Sequence, residues 1–249
     1  MEKWNLNNKT ALVTGASSCL GRAISIILAL AGAEVILHYN NSKEKVENLK
    51  KEIEKFGGRS RILQGDLSNA RDVLKMNSKL KEWDCLVDIL INNAAINHQQ
   101  SIVYMDMGEY DRTMSVNLKA PYLLCKQLLR QMILRKQGVI INISSSITNH
   151  TIANESVYAM TKSGIEAMTR VLSKELGQYN VRVNCVAPGP FISSMNSLDS
   201  EKIKEVTQNN AIKKLVTPYE IAEVVLFLCS DYSSAITGQI INVDNGFCI

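Results

Sequence analysis

Seven short runs rich in β-branched and aliphatic residues punctuate this chain, and helical spacing follows most of them. The runs cover 10–14, 34–39, 60–63, 89–92, 139–143, 181–186 and 239–243. Such an alternation is the pattern of a parallel sheet, because parallel neighbours cannot be joined by a tight hairpin and need a crossover, usually a helix. Since those crossovers are right-handed, the chain is expected to form a doubly wound α/β fold. Its seven parallel strands carry helices on both faces, and a ligand site lies at their carboxyl ends.

The helical stretches carry their own marks. Ile24, Ile27, Leu28 and Ala31 fall at i, i+3, i+4 and i+7 and define one buried stripe. Between 43 and 55, Val46, Leu49 and Ile53 keep the same spacing amid alternating Lys and Glu, which reads as a helix with a solvated charged face. Capping boxes open two helices: Asp106 with Glu109, and Thr217 with Glu220, the latter with Pro218 at the first helical position. The segments 106–136 and 156–178 carry apolar residues on more than one face, among them Leu123, Leu124, Leu128, Leu129, Met132 and Ile133. They can serve a core, an interface between helices, or both.

At 249 residues, 46% hydrophobic and 21% charged, the chain can bury one sizeable core. No Pro/Gly/Ser-rich linker, repeat or low-complexity segment divides it, so 1–249 is expected to be a single domain. A net charge of +4 without a dense basic block argues against nucleic acid. The longest apolar stretch, 23–33, contains Ser25 and Gly32 and is too short to span a bilayer, and the first nine residues have no apolar signal core. A cytoplasmic location is the expectation. The six cysteines form no Cys-x-x-Cys pair, and His38, His98 and His150 fit no metal-ligand spacing, so neither disulfides nor a metal site is expected.

The first strand runs into Thr14-Gly15-Ala16-Ser17-Ser18-Cys19-Leu20-Gly21, after which a helix begins. A glycine-rich turn there lets backbone N–H groups and the positive helix end face a pyrophosphate, although a ligand-free structural turn fits two glycines equally well. Asp66-Leu67 follows the third strand and Asn92-Asn93-Ala94-Ala95 the fourth. Singly each reads as a turn or cap; together they line one sheet edge.

Reducing a ketone leaves an alkoxide that needs a proton donor. A tyrosine and a lysine four residues apart on a helix share a face, and the ammonium favours the phenolate. Tyr158 and Lys162 have this spacing, as do Tyr39 with Lys43 and Tyr122 with Lys126. Only Tyr158 has a serine thirteen residues ahead (145 to 158), and Ser145 sits just past an apolar strand; the other two have Ile26 and Glu109 there. A hydroxyl so placed can bond a substrate oxygen.

In order and spacing, Thr14-Gly15 to Gly21, Asn92 to Ala95, Asn117, Ser145, Tyr158/Lys162 and Pro188-Gly189 resemble the short-chain dehydrogenase/reductase family. The likeness runs on through Thr237-Gly238-Gln239 and Val243 to Gly246. It implies a Rossmann fold, an NAD(P)(H)-dependent oxidoreductase and a homotetramer. It also implies roles. Tyr158 would be the acid/base, Lys162 would lower its pKa and hold the nicotinamide ribose, Ser145 would polarise the carbonyl, and Asn117 would hold a relay water. Gly15, Ser17, Ser18, Cys19, Leu20 and Gly21 would cradle the cofactor phosphates. Asp66 and Leu67 would meet the adenine, Asn93 and Ala94 its ribose, and Pro188, Gly189 and Ser193 the nicotinamide. Cys19 stands where the family usually has glycine, which predicts crowding and weaker cofactor binding. Asn245 replaces a glycine but tolerates the left-handed conformation.

An acid at the end of the second strand would grip the 2′-hydroxyl of NAD. Here the strand ends His38-Tyr39-Asn40-Asn41-Ser42-Lys43, with Tyr39 at the acid's position and Asn40, Ser42 and Lys43 as phosphate donors, so NADP(H) is favoured over NAD(H). Overall length and spacing are most similar to 3-oxoacyl-[acyl-carrier-protein] reductases and related ketoreductases, so a carrier-bound or small-molecule ketone is the expected substrate. The stretch Asn97-His98-Gln99-Gln100 lacks the Arg-Asp of many of them. The alternatives are a sugar, polyol or small secondary-alcohol dehydrogenase, and, in a different class, a non-catalytic NAD(P)-sensing regulator.

Overall fold

The computed structural model describes residues 4–192, 200–208 and 210–248. Seven strands, β1 (Thr10–Val13), β2 (Glu34–Tyr39), β3 (Arg59–Gln64), β4 (Ile89–Asn92), β5 (Gly138–Ile143), β6 (Val181–Pro188) and β7 (Ile240–Val243), form one all-parallel sheet in the order β3-β2-β1-β4-β5-β6-β7. β2 and β4 have the bounds expected from sequence, and the others differ by one or two residues at an end. The order reverses between β1 and β4, which opens a crevice at their carboxyl ends.

Because both faces are covered, strand residues of either parity are buried, which is why the strands read as continuous apolar runs. Leu12, Ile36, Leu90 and Ile140 point to one face and pack with α3 (Ala70–Glu82), α5 (Ala120–Arg135) and α6 (Ser156–Leu176). Val13, Leu37, Ile91 and Ile141 point to the other, under α1 (Cys19–Leu30), α2 (Lys43–Lys55) and α8 (Pro218–Cys229). Val46, Leu49 and Ile53 of α2 are buried as their spacing predicts. The α1 stripe is broader than expected: Ala23, Ile26 and Ala29 are also buried, while Ile27 and Ala31 are half-buried, because α1 is flanked by α8 as well as the sheet.

The Thr217 box is complete, with Glu220 N–H donating to Thr217 Oγ1 at 3.2 Å and Thr217 N–H to Glu220 Oε2 at 2.8 Å. Asp106 caps α4 (Met107–Met114) through one arm, accepting from Glu109 N–H at 3.1 Å. The segment 106–136 is interrupted: α4 passes through a π turn, Ser115–Lys119, before α5 begins. A short helix α7 (Ser200–Gln208) lies between β6 and α8. No helix among the described residues is long and apolar enough to cross a membrane.

Candidate active site

A cleft of about 560 Å³ opens at the carboxyl ends of the strands, from the turn after β1 to the start of α6. Its first wall is the glycine turn. Gly15 has φ +64, and a Cβ on Gly21 would stand 2.2 Å from Gly15 O, so backbone packs here where any side chain would intrude. Ser18 caps α1 by accepting from Gly21 N–H at 3.0 Å, and the Asn93 side-chain amide donates to Thr14 O at 2.8 Å and Gly15 O at 3.2 Å. A further brace is His38. Its Nδ1 accepts from Gly15 N–H at 3.1 Å and its Nε2–H donates to Gly65 O at 3.0 Å, an arrangement that requires the neutral ring. Burial pushes the imidazole down to about 4, against the pull of Gly65 O and Asp66, so it is neutral at pH 7.

Gly15, Ser17, Ser18, Cys19, Leu20, Asn40, Ser42, Asp66, Leu67, Asn93 and Ala94 all line this part of the cleft. The turn, with its tight backbone at a helix N-terminus, fits a pyrophosphate. Cys19, the first residue of α1, is exposed. Gly21 lies behind the turn. Tyr39 is not in the wall: strand alternation sends its ring into the core with Val46 and Leu49, and His38 and Asn40 border the cleft instead. The cation bordering this end is Lys45, whereas Lys43 pairs with Glu47 at 3.7 Å.

At the opposite end Ser145, Tyr158 and Lys162 share the wall with Pro188 and Gly189. Ser145 is extended at φ −164 after β5, and it hydrogen-bonds Tyr158 across from α6. Lys162 is one helical turn beyond Tyr158; its Nζ donates to Ile143 O at 2.8 Å and lies 5.4 Å from the Tyr158 ring centroid. Burial brings the lysine down to about 8. The tyrosine does not behave as its spacing from Lys162 predicts. Burial, assisted by the Glu155 carboxylate, pushes the phenol up to about 12, and the hydrogen bond with Ser145 offsets only part of this. The lysine's Nζ is committed to Ile143 O rather than to the phenol oxygen.

Asn117 lies outside the cleft wall, buried in the π turn. It accepts from Ile96 N–H at 2.9 Å, donates to Ile96 O at 2.8 Å and reaches Thr161 Oγ1 at 3.3 Å, clamping the loop after β4 to α6. Ser193 lies outside the described residues. Besides His38 and Lys45, sequence reasoning did not single out Arg112, Glu155, Phe191 and Phe247 as wall residues. Their signal was position alone: Phe191 and Phe247 follow strands and Glu155 precedes a helix at the same sheet edge, while Arg112 lies in the last turn of α4. Among the described residues no group of His, Cys, Asp and Glu could hold a metal ion.

The profile of a family described as enoyl-(acyl carrier protein) reductase matches residues 15–248. The 3-oxoacyl-[acyl-carrier-protein] reductase FabG of Thermotoga maritima is 34% identical over 245 residues, covering 98% of this chain and 99% of the relative. Among solved structures, the angucycline C-6 ketoreductase LanV with bound NADP superposes with a TM-score of 0.90 at 33% identity, covering 98% of this chain and 97% of that one. A candidate gluconate dehydrogenase from Agrobacterium tumefaciens superposes at 0.95 with 29% identity, covering 99% and 98%. Full-length likeness of this kind, on a cleft that joins a glycine turn to a half-buried tyrosine, means that the chain belongs to the short-chain dehydrogenase/reductase family and is an NAD(P)-dependent oxidoreductase.

Proposed function

We propose that the chain is an NADP(H)-dependent ketoreductase in which Tyr158 donates the proton that follows the hydride. The observation carrying this is that Ser145 and Lys162 flank Tyr158 in the same cleft as the glycine turn. NADPH would supply the hydride when bound, with Gly15, Ser17, Ser18, Cys19 and Leu20 holding its phosphates, Asp66, Leu67, Asn93 and Ala94 its adenosine half, and Pro188 and Gly189 its nicotinamide. Ser145 Oγ steadies the carbonyl oxygen, and the Lys162 ammonium, one helical turn beyond Tyr158, holds the nicotinamide ribose. Asn117 fixes the loop beside them. A phenol near 12 stands protonated at pH 7, which suits donation and therefore reduction.

Asn40, Ser42 and Lys45 offer the 2′-phosphate of NADP donors and a positive charge, with no carboxylate among these three to repel it. Tenfold or greater preference for NADPH over NADH in kcat/KM is the expected result, and comparable efficiency with both refutes it. The relatives support 3-oxoacyl thioesters, including carrier-bound ones, or related ketones as substrates. The free thiols, four of them buried, fit a reducing cytoplasm. Loss of NADPH absorbance with a panel of 3-oxoacyl thioesters, simple ketones and sugars tests the whole proposal, with Tyr158→Phe expected to lose roughly 10²–10⁴-fold. Failure to turn over any of them would move the chain to the class of nucleotide-sensing regulators. A sugar or polyol dehydrogenase is the second reading, and the polar wall beside Tyr158 favours it.

A further inference from the structure

Glu155 stands three residues ahead of Tyr158, is 5% exposed and lines the cleft. Its Oε1 accepts from Asn97 Nδ2 at 3.0 Å and from Gln99 Nε2. Its Oε2 has no partner, and neither does Oδ1 of Asn97. Among the described residues no Lys, Arg or His forms an ion pair with it. Both orphan atoms can only accept when the acid is ionised, and a buried acceptor left without a donor is costly. The pair is also held in place, because Gln100 N–H donates to Asn154 O at 2.9 Å and ties the loop after β4 to the start of α6.

We propose that Glu155 and Asn97 form a subsite for a hydroxyl carried by the substrate close to its carbonyl, so that the substrate class is a neutral hydroxyketone. The inference rests on the ketoreductase reading and narrows its substrate. A hydroxyl supplies the donor that both orphan oxygens lack. The thioester carbonyl of a 3-oxoacyl group presents another acceptor to them, and a substrate carboxylate near the ketone adds like charge to like. No bond is made or broken at the subsite. It orients the substrate so that its carbonyl oxygen meets Ser145 and Tyr158.

NADPH oxidation is followed with 2-butanone, 3-hydroxy-2-butanone and an acetoacetyl thioester for the unsubstituted chain, Glu155→Gln and Asn97→Ala. The expected kcat/KM ratio of hydroxyketone to plain ketone is on the order of tenfold or more, because a site built to bond a hydroxyl rejects the analogue lacking it. That ratio should collapse toward one in both variants, and Asn97→Ala carries the test if Glu155→Gln does not fold. A ratio near one in the unsubstituted chain, or one unchanged by both substitutions, overturns the subsite while leaving ketone reduction intact. Absence of turnover with all three compounds overturns the ketoreductase reading and the subsite with it.

Discussion

His38 shows how a single neutral ring couples the fold to the solvent pH. Held near 4 rather than its ordinary value near 6.5, the imidazole takes up a proton more readily in the unfolded chain across that interval. Its contribution is therefore complete above pH 6.5 and is lost as pH falls through 4, at most about 3 kcal/mol. Urea midpoints measured from pH 7.5 to 4 should fall over this window, and His38→Asn should flatten the slope; an unaltered slope would assign the acid sensitivity elsewhere. In sequence His38 was indistinguishable from a polar strand-end residue, since its value comes from two backbone groups, Gly15 N–H and Gly65 O, on other elements. Tyr158 was legible because Ser145 separated it from two decoy pairs, but its upward pKa was not, because burial and Glu155 act through the tertiary structure. That upward shift has a kinetic consequence. Alcohol oxidation needs the phenolate, so its rate should climb between pH 7 and 10 while ketone reduction does not climb, which initial rates in both directions would check. Cys19 is a third case: it borders the cleft at the start of α1, where the resemblance implies a glycine, so Cys19→Gly should tighten NADPH severalfold by titration, and an unchanged Kd would sink the crowding idea.

Elements were more legible than residues wherever the period was unambiguous. α2 announced itself by Val46, Leu49 and Ile53, and β2 and β4 by runs ending in polar residues. The π turn at Ser115–Lys119 was not legible, since no local signal distinguishes it from continuous helix; it follows from where Asn117 must reach to hold both backbone groups of Ile96. Helix starts depend on local chemistry and can be tested locally. Thr217 accepts from the Glu220 amide and closes the only reciprocal cap among the described helices. Thr217→Ala should cost about 1 kcal/mol of stability in chemical denaturation, with Thr217→Ser restoring most of it. Equal midpoints for the alanine variant and the parent chain would show that α8 is held by packing against α1 and the sheet, with no contribution from its cap.

For the molecule as a whole, the alternation of strands and helices predicted the sheet and its two covered faces, but which helix faces remain uncovered could not be read from apolar content. α5 divides its apolar residues: Leu124, Leu128 and Met132 are buried under the sheet, while Leu129 and Ile133 border a groove of about 1350 Å³ with Met168, Val171 and Leu172 of α6. Val171 is 56% exposed and Leu134 76%, a concentration of apolar surface that a monomer seldom leaves in water. These two neighbouring helices, facing a twofold-related copy, would bury it on both sides at once, since a twofold contact joins like patches. We therefore expect the chain to associate through this face, with light scattering giving four times 27.7 kDa if a second contact completes the homotetramer. Val171→Lys places a charge in the centre of that groove and should shift the mass toward lower multiples, while the distant substitution Lys51→Ala should not. A parent chain that runs at 27.7 kDa at micromolar concentration would show instead that the α5–α6 face is covered by something other than a second copy.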